Sequence, residues 1–154
     1  MARMTLEVAR DTDLPASALW SVVSDLDRYA DHVESLARTT VLDGRGRGAR
    51  RRCVDVRGRD WEESCVLWEE GRRYAVEVDV STYPADLRAM FRSLRGTWMV
   101  TPRPHGGSTV RIRFDGDVRG GTIGARIVER LAARTRRDLE ATLDSYVRTA
   151  RAAV

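Results

Sequence analysis

The chain has 154 residues, enough to bury one sizeable core and short for two domains. All of its 27 basic residues are arginine, and a formal charge of only +4 leaves no strong electrostatic footprint for nucleic acid. Two cysteines are too few for a disulfide framework, two histidines too few for a metal cluster, and no apolar run reaches the ~18–20 residues of a membrane span.

Met1 to Arg10 lacks the apolar centre of a signal peptide, so the cytoplasm is the expected compartment. Within it Thr5 to Ala9 reads as a short strand. Asp13-Leu14-Pro15 opens a helix, with Asp13 or Leu14 near the cap and Pro15 in the first turn, and Leu19, Trp20, Val22 and Val23 form its apolar face. A second short helix is expected over Leu26 to Leu36, with Tyr29, Val33 and Leu36 at i, i+4, i+7.

From Thr39 the hydrophobic period changes to two. Strands are predicted at Arg38–Leu42, Arg50–Arg57, Trp61–Trp68 and Tyr74–Val80, with two more at Gly96–Thr101 and Ser108–Asp115. Short glycine-bearing links between them make an antiparallel meander. Pro84–Leu94 interrupts it with Leu87, Met90, Phe91 and Leu94 at helical spacing, the pattern of a short amphipathic helix. Such a helix is expected to act as a lid over one end of a cavity, with Met90 and Phe91 facing a ligand. Gly44 to Arg52 is rich in glycine and arginine but leads into a strand and holds no aromatic residue. A solvated hairpin loop is therefore expected there, not a phosphate or nucleic-acid site.

The stretch from Gly121 to Ala150 contains no proline, and its polarity is sorted by angle. Arg126, Glu129, Arg136, Arg137, Glu140, Asp144, Arg148 and Arg151 fall on one arc, with Ile127, Val128, Leu131, Leu139, Leu143, Tyr146 and Ala150 on the other. One long amphipathic helix follows, with Thr122 as a candidate N-cap and Asp144 and Arg148 at (i, i+4). Asp138 breaks the sorting. It lies on the apolar side, either turned out to pair with Arg134 or placed inside. An antiparallel sheet with a single long helix to cover it curls around that helix, and a curved sheet leaves a cavity beside it.

This order, with Leu14-Pro15, Leu19-Trp20, Ser24-Asp25, Tyr29, Trp61-Glu62-Glu63, Gly96-Thr97-Trp98 and Gly106-Gly107-Ser108-Thr109, resembles the START-like SRPBCC superfamily in its polyketide cyclase/dehydrase branch. The resemblance spans essentially the whole chain. It implies an α+β helix-grip fold in one domain over residues 1–154, a curved antiparallel sheet wrapped around one long C-terminal helix, with two short helices after the first strand. It also implies a hydrophobic small-molecule ligand between sheet and helix, no cofactor, and either cyclisation/dehydration of a polyketide or carriage of a lipid or quinone.

A two-residue turn at Gly58-Arg59 sets a register in which Val56 faces Trp61, Val54 faces Glu63 and Arg52 faces Cys65. Those six share a side with Leu67; Asp55, Glu62, Ser64 and Trp68 share the other. Alternation does not say which side is inner, because tryptophan occurs on both. The resemblance implies that Trp61, Glu63, Cys65 and Leu67 line the pocket, with Tyr29, Val33, Leu36, Trp98 and Asp138 at further pocket positions. Leu67 and Leu36 stand where aromatase/cyclases carry the arginine and tyrosine that drive ring closure, so that mechanism does not carry over.

The candidate proton-transfer groups are Glu63, Asp138 and His32. Two carboxylates in one apolar space are expected to leave at least one poised as an acid, unless Arg52 quenches Glu63 and Arg134 quenches Asp138. His32 is either a base or a rim residue, and Tyr83 lines the entrance or anchors the inserted helix. Leu131 completes the expected wall. Cys53 and Cys65, projecting from opposite faces of neighbouring strands, are expected to be free thiols.

Overall fold

The computed structural model describes residues 2–154. Seven antiparallel strands form one sheet in the order β1-β7-β6-β5-β4-β3-β2. They are β1 (Ala2–Thr12), β2 (Leu36–Asp43), β3 (Arg50–Asp55), β4 (Asp60–Glu69), β5 (Arg73–Val78), β6 (Phe91–Pro102) and β7 (Ser108–Val118). Helix α1 (Ala16–Val23) follows β1, α2 (Ala85–Met90) lies between β5 and β6, and α3 (Gly121–Ala153) ends the chain. The curved sheet around one long C-terminal helix is the helix-grip arrangement.

Several expected boundaries move, each for a local reason. β1 runs well beyond Thr5–Ala9 because it pairs with β7 along its whole length, from Ala2↔Val118 to Thr12↔Ser108. Pro15 is the N-cap of α1, one residue earlier in the helix frame than expected. The helix expected over Leu26–Leu36 is a 3-10 helix over Leu26–His32, and Leu36 already belongs to β2. Its connection to β2 explains the early stop. Thr39 Oγ1 accepts from the Ala30 amide at 3.2 Å and donates to the Asp27 carbonyl at 2.8 Å, and the Asp27 carboxylate accepts from the Val41 amide at 2.7 Å. Those bonds hold the segment against a strand, where it cannot continue as a helix. α2 is likewise short, because Phe91 to Leu94 join β6. Gly120 rather than Thr122 caps α3, with φ 81°, and Asp144 pairs with Arg10 at 2.9 Å.

The largest correction is the β3–β4 register. Arg51 faces Glu63, Cys53 faces Trp61 and Val54 faces Asp60. The turn is a three-residue loop, Val56 to Gly58, closed by the Asp55 amide donating to the Arg59 carbonyl at 2.8 Å and the Gly58 amide to the Asp55 carbonyl at 2.9 Å. Gly58 supplies the positive φ, 82°, that this hairpin requires. Asp55 locks the loop, its carboxylate accepting from the Arg57 and Arg59 amides and from Arg59 Nε. A slip of three residues is odd, so every β3 side chain exchanges faces. Arg51 and Cys53 are buried, while Val56 is 65% exposed.

The main core lies under the C-terminal half of α3. Leu139, Leu143, Tyr146 and Ala150 pack against Leu19, Trp20 and Val23 of α1 and against Tyr74, Trp98, Val110 and Ile112 of the sheet. Trp98 stacks on Tyr74 with centroids 5.1 Å apart. It lies flat over Gly96, where a Cβ would come within 2.7 Å of the indole. A second cluster joins Tyr83, Phe91, Val118 and Val128. The cavity lies between the two clusters, under α3 from Val128 to Thr142.

Candidate active site and ligand cavity

A cavity of about 350 Å³ lies between the sheet and α3. Its wall is mainly apolar, from Met4, Leu6, Val33, Leu36, Val78, Leu94, Phe114, Val128, Leu131 and Leu139, and Leu87, Met90 and Phe91 close one end. α2 thus borders the mouth, as a lid would. It carries no buried residue, and its corner is held by the Arg119 amide donating to the Met90 carbonyl at 2.7 Å.

The polar part of the wall is concentrated around Glu63. Its inward orientation follows from strand alternation, Trp61 and Glu63 being two residues apart on β4. Glu63 is 8% exposed, and both of its carboxylate oxygens are occupied. Oε2 accepts from Arg51 Nε at 2.7 Å and Oε1 from Trp61 Nε1 at 3.0 Å. Arg51 lies behind it, only 2% exposed, with its guanidinium 4.4 Å above the Tyr29 ring and 5.6 Å from Trp98. Burial opposes the Arg51 charge, but the Glu63 carboxylate outweighs it and holds the guanidinium above its ordinary value. Among the described residues, Arg51 Nη1 and Nη2 have no hydrogen-bond partner. Tyr83 packs edge-on against Trp61 at 5.4 Å, and burial raises its phenol.

Of the expected residues, the structure brings Tyr29, Val33, Leu36, Trp61, Glu63, Tyr83, Met90, Phe91, Leu131 and Asp138 to this cavity. The others go elsewhere. Arg52 is on the outer face, near Asp60 and Glu62, because of the register change; the quenching arginine is Arg51. Leu67 turns outward because a bulge after Cys65 shifts the pairing to Leu67↔Ala75 and Trp68↔Tyr74, which puts Trp68 inside. Cys65 and Trp98 point inward but are core residues deeper than the cavity. Asp138 reaches only the rim, where it is exposed and, among the described residues, pairs with no arginine, Arg134 included. The two carboxylates therefore border one cavity without sharing a low-dielectric interior.

Cys53 and Cys65 are free thiols, but they share the inner face rather than opposing it. Cys53 faces Trp61, so Cys65 lies four residues further along β4, roughly 13 Å at ~3.3 Å per residue and beyond disulfide reach. Burial pushes both thiols up, which makes them poor nucleophiles.

His32 is buried against α3, away from the cavity. Its ring lies 4.6 Å from that of Tyr146, and Nδ1 is 2.8 Å from Ser145 Oγ. Burial lowers its pKa from 6.5, so the folded state disfavours the imidazolium. The unfolded chain then binds the extra proton, and stability should fall as pH drops through the ordinary histidine range near 6.5. Urea titrations at pH 8 and pH 5.5 on wild type and His32→Gln test this. The pH-dependent loss should shrink in the variant, and an unchanged difference would show that His32 does not carry it.

Arg51 is the site residue that sequence reasoning missed. The available signal was Asp55 followed by Gly58-Arg59, the pattern of a capped three-residue loop, which shifts the partner of Glu63 from Val54 to Arg51.

The sequence model of a family described as polyketide cyclase / dehydrase and lipid transport matches residues 3–151. Among curated protein sequences none matches this chain. Several solved structures share its fold. The protein TTHA0849 from Thermus thermophilus superposes with a TM-score of 0.74 at 18% identity, covering 97% of this chain and 99% of that one. One domain's worth of the di-domain aromatase/cyclase StfQ from the steffimycin biosynthetic pathway gives 0.77 at 13% identity, with 99% of this chain and 52% of that one covered. Norcoclaurine synthase from Thalictrum flavum, in complex with a transition-state analogue, gives 0.75 at 15% identity over 97% and 94% of the two chains. At these identities the likeness is one of fold.

Proposed function

The chain belongs to the polyketide cyclase / dehydrase and lipid transport family, and from that premise we propose that it binds a hydrophobic, polycyclic or polyketide-like molecule in the cytoplasm. The observation that carries this reading is the cavity itself, apolar walls around one polar corner made by Glu63, Trp61 and Tyr29. Its volume of about 350 Å³ lies in the range of small-molecule sites. Aromatic faces on Trp61, Tyr29, Tyr83 and Phe114 suit a flat ring system, and Glu63 suits a hydroxyl that donates to it.

Fluorescence titration with anthraquinones and naphthols tests the proposal. Binding should quench Trp61, and the signal should be lost in Trp61→Phe. Leu36→Trp places a bulkier side chain in the cavity and should weaken binding by about tenfold or more, about 1.4 kcal/mol, with an unchanged melting temperature. Equal affinity in the filled variant would remove the cavity as the binding site.

Glu63 also supports a second reading, in which the protein cyclises or dehydrates its ligand. It is a buried carboxylate facing the cavity, where proton exchange with an enolisable carbon or a leaving hydroxyl is sterically possible. Against this stands its resting state, since both oxygens are already engaged and the charge is matched by Arg51. Binding without chemistry is therefore the reading the geometry supports best.

A further inference from the structure

α3 buries one line of its apolar arc, Val128, Leu139, Leu143, Tyr146 and Ala150, and leaves the neighbouring line exposed. In the N-terminal half Ile123 is 74% exposed, Ile127 50% and Leu131 46%, one turn apart along the same side. At 100° per residue they span an arc of about 80°, with Arg134 within it and Arg130, Arg137 and Arg126 along one flank. This row runs from a groove between α2 and α3, bordered by Met90 and Gly124, to Leu131 on the rim of the ligand cavity.

The charge around the row is lopsided. Between Arg119 and Arg137 the chain carries six arginines and one acid, Glu129. No salt bridge among the described residues involves any of the six, whereas Arg10, Arg50, Arg59, Arg113 and Arg151 are all paired with carboxylates. Asp138, at the far end of the row, is the one exposed carboxylate on its line.

We infer that this side of α3 docks onto the surface of a bilayer containing anionic lipids, with the cavity mouth turned toward the membrane. A protruding row of aliphatic side chains beside a flank of cations is what an interfacial helix uses. The aliphatics enter the boundary between headgroups and acyl chains, and the guanidinium groups meet the lipid phosphates. An acidic protein partner would meet the same charges but fits the row less well. Protein interfaces are anchored by aromatic residues in pockets, and the exposed row holds no aromatic residue. Docking here places the mouth against the phase in which an apolar ligand concentrates. Only that purpose rests on the proposed function; the docking itself is separate.

Co-sedimentation of the ligand-free protein with vesicles tests it. The protein should pellet with phosphatidylcholine mixed with phosphatidylglycerol, stay soluble with phosphatidylcholine alone, and be released by salt as charge screening grows. Ile127→Asp should reduce the bound fraction by about tenfold, as should Arg126→Ser combined with Arg130→Ser. These side chains are exposed, so the variants should melt like wild type, and Leu36→Trp should bind vesicles normally even if it fails to bind ligand. Absence of pelleting with the anionic vesicles, as an acidic protein partner would give, overturns the inference. So does full binding by Ile127→Asp.

Discussion

Arg51→Met should cost about 3–5 kcal/mol of folding stability, and Arg51→Met combined with Glu63→Leu should recover most of that loss. Arg51 sits 2% exposed at the sheet–helix interface, and its one charged partner is Glu63, 2.7 Å away. Two further guanidinium nitrogens have no hydrogen-bond partner among the described residues, so the charge depends on that carboxylate and on the faces of Tyr29 and Trp98. Removing the arginine alone leaves a carboxylate in an apolar wall without its counter-charge. Removing both restores a neutral interior of similar volume, which buried ion pairs often tolerate. Urea unfolding of wild type, both singles and the double closes the thermodynamic cycle. A single-variant cost below about 1 kcal/mol would show that water reaches Glu63 and that the pair is effectively a surface one.

The same pair shows what could be read from the residues alone. The long C-terminal helix, the meander and the inserted helix were legible because each has a strong period and little else competes with it. Strand faces were not, because they depend on loop length. A hairpin loop of two residues at Gly58-Arg59 and one of three at Val56–Gly58 both use Gly58, yet they place opposite faces of β3 inward. The bulge after Cys65 has no comparable sequence mark, and it exchanges Leu67 for Trp68 in the interior. Helix periodicity failed in another way. It identifies an apolar arc but not how much of its width the core covers: α3 buries the line of Val128, Leu139, Leu143, Tyr146 and Ala150, and Ile127 and Leu131, to one side of it, read as buried and stand exposed. Half of the expected acid–base pair failed for that reason, since Asp138 lies between Ile127 and Leu131 in angle, outside the buried line of α3.

If the cavity performs cyclisation or dehydration, Glu63→Gln should lower turnover by about a hundredfold or more while ligand binding persists. The amide keeps the shape and can still accept from Trp61 Nε1, but it cannot take up and return a proton. It also leaves Arg51 without a charged partner, so the effect on chemistry must be separated from an effect on folding. Glu63→Gln in an Arg51→Met background does this, because no buried charge is then left unmatched. The turnover deficit should persist there even as the melting temperature recovers. Asp138→Asn serves as the contrast. At an exposed rim its carboxylate is solvated, and turnover should stay near wild type. Full turnover in both Glu63→Gln backgrounds would remove Glu63 from any chemistry and leave the cavity as a binding site alone. Loss in Asp138→Asn would instead mean that α3 closes toward the sheet around a bound ligand, carrying Asp138 inward with it.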